Sequence, residues 1–207
     1  MNKNKNISIN FINDYFSKVS LISNKMISKE IDDLINQLVL LKKRKGRLFF
    51  LGVGGSAGNA SHAVNDFRKL CNIESYSPTD NVSELTARIN DEGWESSFVN
   101  WLKVSKINKK DSIFIFSVGG GNLEKNISVN IVNSIKLAKE VGAKVVGIVG
   151  KNGGYTKEVA DETIIISSFN ANTVTPQTES FQAFIWHLIV THPDIIKNKM
   201  KWESIDK

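Results

Sequence analysis

Cysteine and proline are scarce: the 207 residues hold one cysteine, Cys71, and three prolines. A single thiol closes no internal disulfide and builds no multi-thiolate zinc site, which fits a reducing compartment. The few prolines, and 14 glycines used as punctuation, exclude collagen-like, linker-like and low-complexity chains. Long apolar runs are missing too. None approaches the roughly 18 residues of a membrane span. The first twenty residues interrupt their apolar positions with Asn, Asp and Lys too often for a signal-peptide core. The expectation is a soluble, cytoplasmic protein with one domain over 1–207: a helical segment over about 1–45 and an α/β core over about 47–195.

Positive charge is in surplus, with a net +6 and a pI near 9.3. The basic residues form no stripe. Their densest run, Lys42 to Lys45, precedes Gly46 where a helix should end, and cations there complement the helix dipole. That argues for helix-end chemistry over a polyanion site, so nucleic acid is not the expected partner. A small phosphorylated metabolite suits a basic protein.

Apolar spacings of three and four over Ile7 to Leu41 predict two helices. The period then changes. Short apolar runs at Arg47–Val53, Asp111–Ser117, Ala143–Val149 and Glu162–Ser167 read as buried strands, with a weaker one at Ile73–Ser77. Helices are expected over Ser56–Leu70, Ser83–Ile89, Trp94–Ile107, about Leu123–Val141 and about Pro176–Thr191, with a turn at Asn90–Gly93. This alternation predicts a doubly wound α/β fold with a mainly parallel sheet flanked by helices, whose ligands sit beyond the carboxyl ends of the strands.

Two glycine-rich loops fall at that edge. The first, Gly52 to Ala57, contains Gly54, Gly55 and Ser56 and opens a helix, so its amides could cradle an anion. It also fits the relaxed dinucleotide fingerprint Gly-x-Gly-x-x-Ala, with Glu74 where a ribose-binding acid would lie, or it is a tight turn and nothing more. The second, Ser117 to Asn122, holds Gly119, Gly120 and Gly121. Two such loops suit one compact phosphorylated ligand gripped from two sides, or turn chemistry alone.

His62 and Asp66, four apart on a helix, share a face, where they could ligate a metal, divide acid and base duties, or pair at the surface. Glu179 and His187 interrupt an apolar final helix; a buried polar group needs partners, and a backbone carbonyl would satisfy the histidine. His192 reads as a surface or capping residue.

In order and spacing, the GGS turn, His62 with an acid four residues on, the Asn90–Asp91 pair, the SVGGGN loop and the late helical histidine resemble the sugar isomerase (SIS) family. Within it they look most like the phosphoheptose isomerases, and the likeness spans about residues 10–195. The resemblance implies a three-layer SIS fold and a homotetramer with active sites at subunit interfaces. It further implies isomerisation of sedoheptulose 7-phosphate to D-glycero-D-manno-heptose 7-phosphate through an enediolate. It puts Ser56, Asn90, Asp91 and Ser117 on the sugar phosphate, along with the glycines of both loops and Asn122. Asp66 and His187 become the catalytic groups, with Glu179 the alternative to Asp66 as the base, and His62, Asp66, Glu179 and His187 the ligands of a zinc ion that some members carry. Glu179 stands where the family usually has glutamine, Asp66 where it has glutamate, and Val53 where it has asparagine. Two other readings stay open: a non-catalytic SIS protein that senses a sugar phosphate or binds a protein or DNA partner, and a nicotinamide-dependent oxidoreductase.

Overall fold

Runs such as Leu48–Gly52 and Ser112–Ser117 are buried along their whole length, because their alternate side chains serve two cores instead of one core and solvent. A computed structural model describes residues 2–205, and side chains from residue 7 onward; Met1, Asp206 and Lys207 of the expected 1–207 span lie outside the described residues. Five parallel strands, β1 (Leu48–Gly52), β2 (Ser75–Tyr76), β3 (Ser112–Ser117), β4 (Lys144–Gly150) and β5 (Glu162–Ile166), lie in the order β2-β1-β3-β4-β5. Helices α1 (Asn2–Asn24), α2 (Ser28–Lys43), α3 (Gly55–Cys71), α4 (Val82–Glu92), α5 (Trp94–Val104), α6 (Val129–Glu140), α7 (Gly154–Val159) and α8 (Val174–Thr191) complete the chain.

Phe50, Phe114, Phe116, Val146, Ile148, Ile164 and Ile166 point to one face, where α2, α3 and α8 supply Leu34, Leu38, Ala63, Phe67, Ile185 and Trp186. Phe49, Leu51, Ile113, Ile115, Val145 and Val149 point to the other, against α5 and α6. This is the expected doubly wound sandwich. The chain winds outward from β1 to β2 in one direction and to β3, β4 and β5 in the other, so the crevice between the carboxyl ends of β1 and β3 is the switch point where such sheets bind ligands.

The basic run stands at the end of α2, as expected, and two of its side chains bond to other segments. Arg44 donates to the Lys110 carbonyl and Ser112 hydroxyl, and Lys42 to the Ile195 carbonyl. Three boundaries differ from expectation. Residues 122–128 are no helix: Asn122 and Ile127 exchange backbone hydrogen bonds, the Asn122 side chain accepts the Lys125 N–H, and Asn126 and Ser128 take left-handed conformations. The helical spacing of Leu123 and Ile127 misleads because both are exposed. The expected Asn90–Gly93 turn shrinks to Gly93 alone, since Arg88 pairs with Glu84 and Glu92 and extends α4 through Asn90 and Asp91. The six-residue α7 carries too little periodicity to be read in advance.

Candidate functional site

At the switch point lies a cavity of about 410 Å³ whose lining includes Ser56, Ser117, Gly119, Asn122 and Glu179. Each arrives there for a local reason. β1 ends in glycines, and Gly54, at φ +65°, turns the chain so that α3 begins at Gly55 with Ser56 in its first turn. Ser56 Oγ donates to Gln182 Oε1 of α8 at 3.1 Å, and Asn59 Nδ2 donates to the same oxygen at 2.9 Å and to the Glu179 carbonyl at 2.8 Å. These bonds lock the top of α3 to α8. The Glu179 carboxylate lies so close over Gly55 that a β-carbon there would collide with it. Glycine at position 55 thus leaves room for the Glu179 carboxylate over the start of α3, and a larger residue would push that side chain aside.

The second loop divides in two. Gly119 faces the cavity. Gly120 and Gly121 instead meet the first turn of α7: the Gly120 carbonyl accepts from the Thr156 N–H at 2.9 Å and the Thr156 hydroxyl at 2.7 Å, and the Gly121 carbonyl from the Tyr155 N–H at 3.0 Å. A β-carbon on Gly120, at φ +71°, would strike the Gly153 carbonyl. Ser117 Oγ accepts the Gly120 N–H at 3.0 Å, which leaves its hydroxyl proton free to donate.

Two turns further along the α3–α8 seam, the helices bring together His62, Asp66 and His187, whose ligand atoms all lie within 4.8 Å of one another. Asp66 is nearly buried; its Oδ2 is 3.6 Å from His62 Nε2 and 3.5 Å from His187 Nε2, and accepts from Trp186 Nε1 at 3.2 Å. Asn65 donates to Oδ1 at 3.0 Å. Both imidazoles keep about half their side-chain surface open, 55% and 50%, and pack edge to face at 5.3 Å. Two imidazole nitrogens and a carboxylate are the donor set of a three-ligand site with an open position.

Glu179 does not join this group. Eight residues on a straight helix separate it from His187 by about 12 Å, and helical side chains lean toward the N-terminus, so it faces the cavity instead. Asn90 and Asp91 are bonded to each other at the exposed end of α4 and do not line the cavity. Glu74 sits beside β2's first residue, which is in register with Leu48, the start of β1. It is therefore at the opposite edge of the sheet from the glycine loop, and the dinucleotide reading loses its ribose-binding acid. His192 caps α8, its Nδ1 accepting the Asp194 N–H.

The sequence reading missed Lys125, Ser128, Lys151, Asn152 and Thr175 of the cavity lining. Lys151, directly after β4, was findable from the rule that ligands meet strand carboxyl ends. Lys125 was hidden by the mistaken helix.

A family model described as SIS domain matches residues 14–150. Lincomycin biosynthesis protein LmbN of Streptomyces lincolnensis is 33% identical over 158 residues, 71% of this chain, which spans little more than half (56%) of that protein's length. Phosphoheptose isomerase of Rhodospirillum rubrum is 30% identical over 149 residues, covering 70% of this chain and 73% of the relative. The structure of phosphoheptose isomerase from Neisseria gonorrhoeae superposes with a TM-score of 0.74 at 17% identity, covering 87% of this chain and 95% of that one.

Proposed function

Since the chain belongs to the SIS domain family, we propose that it is a sugar-phosphate isomerase that converts sedoheptulose 7-phosphate to D-glycero-D-manno-heptose 7-phosphate. The observation that carries this reading is the pairing of a switch-point cavity bearing a carboxylate with an adjoining acid–imidazole group on the same two helices. Relatives named phosphoheptose isomerase support the choice of substrate.

The reaction moves a proton between neighbouring carbons of an open-chain sugar, which requires a base for a carbon-bound proton and a group to manage charge on oxygen. Glu179 faces the cavity and is assigned as the base. His187 exchanges a proton with the substrate oxygen, and Asp66, fixed by Trp186 and Asn65, orients the imidazole. Each proton-transfer group contributes about 10²–10⁴-fold. His62, Asp66 and His187 would hold a zinc ion, which when bound stabilises negative charge on substrate oxygens.

The site is completed in a cytoplasmic homotetramer built of single SIS units. Phe184 and Leu188 flank His187 on α8, and α1 presents Ile7, Phe11 and Phe16; all are exposed apolar groups that a second copy would cover.

The test is incubation with sedoheptulose 7-phosphate in D2O, following aldoheptose phosphate and deuterium at the carbon. Turnover with deuterium uptake, abolished by His187→Gln at unchanged melting temperature, is expected. No turnover with or without zinc overturns the reading. Thermal stabilisation by the sugar phosphate without turnover would establish the non-catalytic sensor in its place.

A further inference from the structure

A cavity that receives a sugar phosphate must answer a charge of about −1.5 to −2 on the phosphate at neutral pH. Neutral donors at Asn122, Ser128, Asn152 and Thr175 line the cavity but leave that charge unbalanced. The Ser56 hydroxyl proton is committed to Gln182 Oε1, and the glycine run supplies no hydroxyl of its own. Gly120 has its N–H spent on Ser117 Oγ and its carbonyl on Thr156. The only carboxylate in the lining, Glu179, repels an anion.

Against this deficit stand two ammonium groups. Lys125 and Lys151 both line the cavity, on the loops that follow β3 and β4, and among the described residues neither forms an ion pair. Lys125 is held in place by its N–H, donated to Asn122 Oδ1 at 2.7 Å in the turn closed by the Asn122–Ile127 bridge. Lys151 follows Gly150 at the end of β4. Their charges exceed that of Glu179, so the lining is net positive.

We propose that Lys125 and Lys151 are specificity-determining residues that grip the phosphate of the substrate, with the free Ser117 hydroxyl proton as a neutral donor beside them. The inference rests on the sugar-phosphate reading above and deepens it. It also sets the direction of the substrate. The phosphate lies against the β3 and β4 loops, away from the Glu179 carboxylate, and the sugar runs toward Glu179 and the α3–α8 seam. Lysine binds phosphate as a mobile point charge without demanding a fixed fork geometry, which suits two exposed side chains at a cavity mouth.

The experiment compares wild type with Lys125→Gln, Lys151→Gln, the double variant and Lys136→Gln, the last a charge neutralised on the exposed face of α6. All three sites are exposed, so folding is preserved, and melting temperatures verify it. Each single cavity variant is expected to raise KM for sedoheptulose 7-phosphate about 5–10-fold with kcat within about 3-fold. The double variant loses most of the salt dependence of KM between low and moderate ionic strength. Lys136→Gln matches wild type. If the wild type turns over but the double variant keeps its KM and salt dependence, the lysine grip is wrong and the isomerase reading stands. A wild type that neither binds nor converts the sugar phosphate removes both.

Discussion

The run Gly119–Gly121 invites one alanine at each of two neighbouring positions, because the two glycines do unlike work. At Gly120, φ is +71° and an added β-carbon would meet the Gly153 carbonyl within bonding range, so backbone must move. The left-handed conformation costs an L-residue about 1–2 kcal/mol, and overpacking into a neighbouring segment about 1–3 kcal/mol more. Displacing the Gly120 carbonyl also loosens its two bonds from Thr156, each worth about 1 kcal/mol. Gly120→Ala should therefore lose about 3–5 kcal/mol, which at about 2–4 °C per kcal/mol is a fall of roughly 6–20 °C in melting temperature. Gly119 carries no positive φ, and nothing lies within 4 Å of its added β-carbon. Gly119→Ala should melt within about 2 °C of wild type, as surface substitutions within about 0.5 kcal/mol do, and show its effect only in ligand binding. Calorimetry on both variants at matched concentration is the assay. Equal melting temperatures, or a less stable Gly119→Ala, would refute the assignment of Gly120 to interloop packing.

Asp111 is buried and accepts from the Arg47 N–H at 2.9 Å, Arg47 Nη2 at 2.8 Å and the Asn108 N–H at 3.1 Å, joining the starts of β1 and β3. Asp111→Ala should cost about 3 kcal/mol in urea unfolding by leaving Arg47 without its partner; a loss under about 1 kcal/mol would count against that clamp. Burial pushes the Asp161 carboxyl up, but the hydrogen bonds from Lys144, the Val145 N–H and Lys139 outweigh it and hold the group below its ordinary value of 3.8. A depressed carboxyl contributes stability that is present above its unfolded value and lost as pH falls through the folded one. Asp161→Asn should thus be less stable than wild type at pH 7 and converge on it below about pH 3.8; a constant gap at all pH values would rule this out. Burial pushes the Cys71 thiol up to about 12, so at pH 8 it should resist a thiol reagent until the protein is unfolded. Labelling at native-state rates typical of a free thiol would contradict its burial.

Much of the fold was legible because burial leaves a periodic trace. A strand covered on both faces reads as a continuous apolar run, and Phe49 to Leu51 and Ile113 to Phe116 carry that trace without help from distant residues. β2, two residues long, and the turn at 122–128 carry little of it. In that turn an asparagine side chain and two left-handed residues overrode a helical spacing whose apolar members found no core.

For the site, sequence alone determined that His62 and Asp66 share a helix face, that a serine opens α3 after a glycine turn, and that both glycine loops lie at one edge of the sheet, since each is set by local geometry and strand direction. Tertiary packing decided the rest. The α3–α8 seam joined His187 and Trp186 to Asp66, and turned Glu179 into the cavity over Gly55. Strand register put Glu74 at the far edge, and contact with the first turn of α7 claimed Gly120 while exposing Lys125 and Lys151 to the same hollow. Spacing along one helix or strand reports direction and face; which groups meet depends on how separate elements cross, and that is settled by packing across the whole sheet.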